Sequence, residues 1–193
     1  MQRLAIFASG SGTNAENIIR YFKKKPHLSV SCICTNRSDA YVVQRAGRHG
    51  IDVFAFSRGE FYHSGKVLDY LEQKKIDWII LAGFLWLVPE NLIQKYPNRI
   101  LNIHPALLPK YGGKGMYGSF VHKAVLENRE EQSGITIHLI DKEYDKGRIV
   151  FQATCPVFPG ESPDQLAERV HQLEYEYYPK IIEKTVLGED QDH

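Results

Sequence analysis

Leu4-Ala5-Ile6-Phe7-Ala8-Ser9-Gly10-Ser11-Gly12-Thr13-Asn14-Ala15 is the stretch that sets the fold. An unbroken apolar run from Leu4 to Ala8 marks a strand buried on both faces. The glycines after it make a tight turn, and Ala15, Ile18, Ile19 and Phe22 then recur at helical spacing. Strand, glycine loop and helix form the opening unit of a parallel α/β sheet. Glycines allow close backbone approach, and the first turn of the helix offers free N–H groups and partial positive charge to an anion. The plainer alternative is a tight turn capped by the side chain of Thr13 or Asn14.

Gly10-x-Gly12-x-x-Ala15 matches the loose dinucleotide fingerprint. A nicotinamide site wants a carboxylate after the second strand, but Thr35-Asn36-Arg37 stands there. Arg37 suits a 2′-phosphate, whereas Thr13 and Asn14 suit a terminal phosphate monoester. The Lys-Ser or Lys-Thr of a nucleotide-hydrolysing loop is absent.

Outward from this unit the alternation continues. Strands are expected over 28–34, 52–56, 78–82 and 100–104. Helices are expected over 41–48, over 61–74 and after Pro89. Lys110 to Gly118 holds Gly112, Gly113, Gly115 and Gly118 and is expected as a mobile surface loop. A helix near 120–128, a strand near 136–140, a charged turn over 141–147 and a strand over 149–156 follow. Ser162-Pro163-Asp164-Gln165 is a helix start with a Ser cap, Pro at the first position and a Gln completing the capping box. Pro179 is expected to kink or divide that last helix, and Gly188 to end it. The pattern predicts a single Rossmann-like α/β domain over 1–188, a mostly parallel twisted sheet with helices on both faces. Residues 189–193 are expected as a disordered tail.

The bulk numbers narrow the class. A chain of 193 residues suits one domain of about 100–200. A net charge of +1, from 24 basic and 23 acidic residues, gives no general pull toward nucleic acid or an acidic membrane. Cys32, Cys34 and Cys155 are odd in number and lack metal-ligand spacing, which fits a reducing cytoplasm and no metal. Cys32 and Cys34 are expected as buried core thiols. No signal peptide and no long apolar span is expected, so the location expected is cytoplasmic.

A second stretch carries chemistry: Ile100-Leu101-Asn102-Ile103-His104-Pro105-Ala106-Leu107-Leu108-Pro109-Lys110-Tyr111. Residues two apart in a strand share a face, so Asn102 and His104 belong together at the strand's carboxyl tip. An amide beside an imidazole can stabilise an oxyanion and move a proton. The alternative is a turn-capping Asn and a satisfied core His.

Several separated motifs agree on one resemblance. The loop over 8–14, Leu81-Ala82-Gly83-Phe84, the stretch over 101–111, Gly134-Ile135-Thr136-Ile137-His138, and Asp145 with Gly147, Ile149 and Gln152 together resemble the folate-dependent formyltransferases. Asn-Ile-His-Pro-x-Leu-Leu-Pro is highly specific to that group, and the Ser-Gly-x-Gly-Thr-Asn loop narrows the resemblance to its glycinamide branch. The related methionyl-tRNA formyltransferases differ at that loop and carry an extra C-terminal domain, for which this chain is expected to have no room.

The resemblance implies formyl transfer from 10-formyltetrahydrofolate to the amine of 5-phosphoribosyl-glycinamide (GAR) in purine biosynthesis. It implies that Gly12, Thr13, Asn14 and Glu174 bind the phosphorylated substrate. It implies that folate lies against Leu85, Trp86, Leu87, Val88, Asn102, Asp141, Lys142, Glu143, Tyr144 and Asp145. It makes Asn102, His104 and Asp145 the catalytic group, with no metal, and leaves monomer and homodimer both open. An ordinary His titrates near ~6.5. Asp145 within reach is expected to raise that value, keeping His104 a cation ready for an oxyanion. His122 and His138 match family histidines but, read alone, are expected as satisfied structural groups. Arg58 or Lys66 is expected to meet the folate glutamate tail. Two other classes stay open: an NADP-dependent oxidoreductase using Gly10 and Arg37, and a non-catalytic phosphate-ligand binding domain.

Overall fold

The computed structural model describes residues 1–189. Strands β1 (Gln2–Phe7), β2 (Leu28–Thr35), β3 (Asp52–Ala55), β4 (Trp78–Leu81), β5 (Ile100–His104), β6 (Gln132–Leu139) and β7 (Ile149–Pro156) form one sheet in the order β3-β2-β1-β4-β5-β6-β7. The first five run parallel, β6 pairs antiparallel with β5, and β7 pairs antiparallel with β6. This is the mostly parallel sheet the sequence predicts. The chain winds outward from β1 to β3, then returns to place β4 on the other side of β1. Such a reversal opens a crevice beyond the strands' carboxyl ends, where ligands bind in open α/β sheets.

The apolar run of β1 serves two cores at once. Leu4 and Ile6 face a cluster with Ala15, Ile18 and Phe22 of helix α1 (Thr13–Phe22) and with Val170 and Ile182 of helix α7 (Pro163–Leu187). Ala5 and Phe7 point the other way. They meet Phe61 of α3 (Arg58–Tyr62), Val67 and Leu71 of α4 (Lys66–Gln73) and Leu92 of α5 (Glu90–Lys95). Each fully buried large side chain contributes roughly 1.5–3 kcal/mol. Cys32 and Cys34 are buried thiols in the second core, as expected, and burial pushes Cys34 well above the usual thiol range. Helices α2 (Tyr41–Arg48) and α6 (Ser119–Glu127) complete the fold.

Two expectations need correction. The helix expected over 61–74 is two short helices. Ser57 and Glu60 form a capping box that starts α3 early, and the Ser64-Gly65 break restarts the chain as α4. Pro179 does not divide α7, which runs for 25 residues. Proline's missing N–H would leave the carbonyl of Tyr175 without its helical donor. The Asn17 Nδ2–H from α1 fills that place at 2.9 Å, so the helix continues and is tied to α1. The Ser162 cap, the Gln165 box and the Gly188 stop stand as expected. The tail expected over 189–193 lies outside the described residues, apart from Glu189.

Helix α7 also ties β4 to β5. Tyr178 is fully buried, and its hydroxyl lies 2.8 Å from the carbonyl of Leu81 and 3.1 Å from that of Leu101. Removing it leaves two buried acceptors short of a donor. Tyr178→Phe is expected to lower unfolding stability by about 1–2 kcal/mol, read as the shift in a urea midpoint at unchanged slope.

Candidate active site

The loop after β1 has the geometry of an anion cradle. Gly12 caps α1 in the left-handed region (φ 73°, ψ 25°), and no side chain caps the helix. The alternative of a turn capped by Thr13 or Asn14 is therefore not what the chain adopts. A Cβ at Gly12 would sit 2.4 Å from Val42 Cγ2, so both φ and space demand glycine. Asn14 turns away from the cap and donates through Nδ2 to Glu174 Oε2 at 2.8 Å, while its Oδ1 is buried without a partner. Glu174, 5% exposed on α7, also faces His171 Nδ1 at 2.8 Å. That bond to Glu174 holds His171 above the ordinary histidine value, against burial.

At the tip of β5, His104 is 3% exposed. Its Nε2–H donates to the carbonyl of Tyr111 at 2.7 Å. A carbonyl only accepts, so this bond fixes the proton on Nε2 and leaves Nδ1 to gain and lose one. Nδ1 lies 3.6 Å from Asp145 Oδ2. Antiparallel pairing sets Asn102 opposite His138, and Asn102 Nδ2 donates to His138 Nε2 at 3.0 Å. An amide has two N–H bonds, so Asn102 keeps one for the cavity. Asp145 Oδ1 lies 3.6 Å from His138 Nε2, and Oδ2 accepts the Gly113 N–H at 2.9 Å.

Asp145 holds a positive φ of 56°, a left-handed conformation that aspartate adopts more readily than most side chains. Gly147 makes room for the turn: a Cβ there would lie 1.7 Å from the carbonyl of Leu139. Behind the site, Thr136 Oγ1 accepts the Leu108 N–H at 2.9 Å and donates to the carbonyl of Ala106 at 2.7 Å. Gln152 Nε2 adds a bond to Leu108 O at 3.0 Å. These bonds fix the turn that follows His104.

Electrostatics overturn one expectation. Burial pushes His104 below the ordinary histidine value. Asp145 and the Tyr111 carbonyl pull upward without overcoming it. Burial thus favours the neutral imidazole over the waiting cation the sequence suggests, and that burial is invisible in the sequence. For Asp145 burial pulls upward, but His138, His104 and the Gly113 amide together leave it below the usual carboxylate range.

The glycine loop and the residues at the strand tip line one cavity of about 830 Å³. Gly12, Thr13, Asn14 and Glu174 bound one part, Asn102, His104 and Asp145 another, and Leu85, Trp86, Leu87 and Val88 an apolar wall. Trp86 packs on Phe56, Phe61 and Tyr62 at ring distances of 6.2, 5.8 and 6.0 Å. Asp141, Glu143 and Tyr144 complete the rim.

A sequence profile of the formyl transferase family matches residues 2–182. The chain belongs to the formyl transferase family. Phosphoribosylglycinamide formyltransferase of Haemophilus influenzae is 34% identical over 193 residues, covering 97% of this chain and 89% of that protein. A chloroplastic phosphoribosylglycinamide formyltransferase of Arabidopsis thaliana is 40% identical over 187 residues, 94% of this chain. The chain spans only 64% of that plant protein's length. Among solved structures, glycinamide ribonucleotide transformylase 1 from Geobacillus kaustophilus superposes with a TM-score of 0.85 at 36% identity, covering 94% of this chain and 97% of that one.

Within this family member most of the expected site residues meet in the cavity. Lys142 does not: its Nζ reaches out to Glu90 at 2.6 Å, because the turn directs it to a surface carboxylate. Arg37 is also elsewhere: it is exposed, forked onto Asp39 at 3.2 and 2.9 Å, and does not line the cavity. His138 and His122, expected as satisfied structural groups, both line the cavity. His138 joins Asn102 and Asp145, while His122, 2% exposed, leaves Nδ1 without a partner. His171 has no local pattern in the sequence that singles it out. The Thr136-x-His138 alternation, set beside Asn102-x-His104, was the signal that could have found His138. Among the described residues no helix is long and apolar enough to cross a membrane.

Proposed function

We propose that this chain transfers a formyl group from 10-formyltetrahydrofolate to the amine of GAR, a step of purine biosynthesis. The observation that carries this reading is the single cavity joining a capless glycine loop, a buried imidazole–amide–carboxylate cluster and an apolar wall. Each part answers one need of a two-substrate acyl transfer. The formyltransferase domain is assigned to 1–188 and the reaction to the cytoplasm.

The free amides of Gly12, Thr13 and Asn14, at the positive end of α1, suit a phosphate monoester. Glu174 keeps Oε1 free to accept a ribose hydroxyl, and Asn14 Oδ1 is an unpaired acceptor beside it. The folate co-substrate fits the wall of Leu85, Trp86, Leu87 and Val88 and the turn over 141–145, with Leu85 48% exposed at the surface it would cover. Between the two basic residues expected for the glutamate tail, Lys66 is held by Glu60 at 2.7 Å. Arg58 lies 5.8 Å over the Trp86 ring, which favours Arg58.

The chemistry follows from the resting proton state. The amine attacks the formyl carbon, and the carbonyl oxygen takes up negative charge. Neutral His104 accepts the amine's proton at Nδ1 and becomes an imidazolium facing Asp145, which stabilises the new charge. The free N–H of Asn102 and the imidazolium then lie beside the oxyanion in a water-poor site. When the bond to the folate nitrogen breaks, Nδ1 returns the proton to that nitrogen. Atoms balance: one formyl group and one proton exchange between two amines.

The test is an absorbance assay following tetrahydrofolate release, run with and without GAR. Turnover that requires both substrates supports the reading. Release that ignores the acceptor, or tight binding of a nicotinamide dinucleotide with no response to folate, sinks it.

A further inference from the structure

The glycine loop is held from behind by a charged cluster outside the cavity. Arg45, on α2, donates from Nε to the carbonyl of Ser11 at 2.9 Å and pairs through Nη1 with Glu16. Glu16 is 6% exposed in the first turn of α1, and its N–H donates to the carbonyl of Gly12 at 2.9 Å. Arg20 and His49 each reach Glu16 Oε1 at 3.0 Å. The same helix α2 also gives the Val42 N–H to the carbonyl of Gly10 at 3.2 Å.

A trans peptide is planar, with its C=O and N–H pointing in opposite directions. Drawing the Ser11 carbonyl out toward Arg45 therefore turns the Gly12 N–H the other way, into the cavity that Gly12 lines. Among the described residues that N–H has no partner. Glu16 places a negative charge in the first turn of the helix that would meet the phosphate. Arg45 and Arg20 offset it, so the anion does not face an unpaired carboxylate.

We infer that Arg45 is a positioning residue for the phosphorylated substrate: by holding the Ser11 carbonyl, it aims the Gly12 N–H at the phosphate without touching the ligand. This rests on the glycine loop being the phosphate site. It separates two tasks that sit on neighbouring helices. The α1 terminus supplies the amides, and α2 supplies the grip that orients one of them. Lysine would replace the grip only in part, because a single ammonium lacks the rigid fork that reaches both Ser11 O and Glu16.

The experiment measures ribose 5-phosphate binding by calorimetry on the full chain, alongside steady-state kinetics with both substrates. For Arg45→Met, the Kd for ribose 5-phosphate and the KM for GAR are expected to rise about tenfold, the loss of roughly one oriented hydrogen bond to an anion. The folate KM should stay within about twofold and kcat within about threefold, because neither depends on the loop. Arg45→Lys should fall between the two proteins, and it carries the test if Arg45→Met does not fold. An unchanged Kd in either folded variant overturns the inference. So does an equal loss for both substrates, which is the mark of general destabilisation. Wild-type binding of ribose 5-phosphate without formyl transfer would overturn the proposed reaction while leaving the role of Arg45 intact.

Discussion

Replacing His104 by alanine is expected to cut kcat by about 10³, within the range that general acid–base groups contribute. No other described side chain has an unbound nitrogen facing Asp145 from within 3.6 Å, except His138, whose Nε2 already accepts from Asn102. The variant also loses the imidazolium that would offset the oxyanion. The residue lies at a strand tip on the cavity wall, so the fold should survive and circular dichroism should be unchanged. Both substrates should still bind, since the amides of 12–14 and the wall over 85–88 are untouched. A folded Ala variant with near-wild-type turnover would remove His104 from the chemistry.

Asp145→Asn has the second largest effect, with an expected loss of about 10² at neutral pH through loss of the imidazolium's partner. The pH profile distinguishes this from a structural effect. Burial already holds the folded-state value of His104 below the ordinary one, and Asp145 is the strongest influence opposing it. Taking the carboxylate away lets that value fall further. The proposed reaction needs neutral His104, so turnover is expected to be lost as pH falls through the folded-state value. The acid limb of the profile should therefore move to lower pH in Asp145→Asn while its plateau drops. A limb that stays in place, or moves up, would show that Asp145 is not the partner of the imidazolium. Asparagine keeps the size and accepts from the Gly113 N–H, so the turn that holds a φ of 56° at this position is preserved.

How much of this was legible in the chain varies by the range of the interaction. The unit from Leu4 to Ala15 declares itself because a buried parallel strand and a glycine turn leave local marks. Asn102 and His104 were also visible, since period-two alternation is local. Asp145 needed the resemblance, because a turn aspartate has no local signature of catalysis.

What stayed hidden depends on partners far away in sequence. Pro179 looks like a break until Asn17, on another helix, satisfies the Tyr175 carbonyl. Lys142 belongs to the right turn but answers to Glu90. Arg45 looks like any charge on an amphipathic helix until the fold brings it to Ser11. The resting charge of His104 was the hardest to read. The attraction of Asp145 can be anticipated from the chain, but only the packed site reveals the burial that outweighs it.

The proton state of His104 is thus the point on which the chemistry turns. Nitrogen-15 NMR of histidine-labelled protein, titrated between pH 5 and 8, reads it directly. The expected result is a neutral ring at pH 7, protonated on Nε2, with a titration midpoint below the ordinary histidine value. A His104 that is fully imidazolium at pH 7 would contradict the mechanism and return Asp145 to dominance over burial.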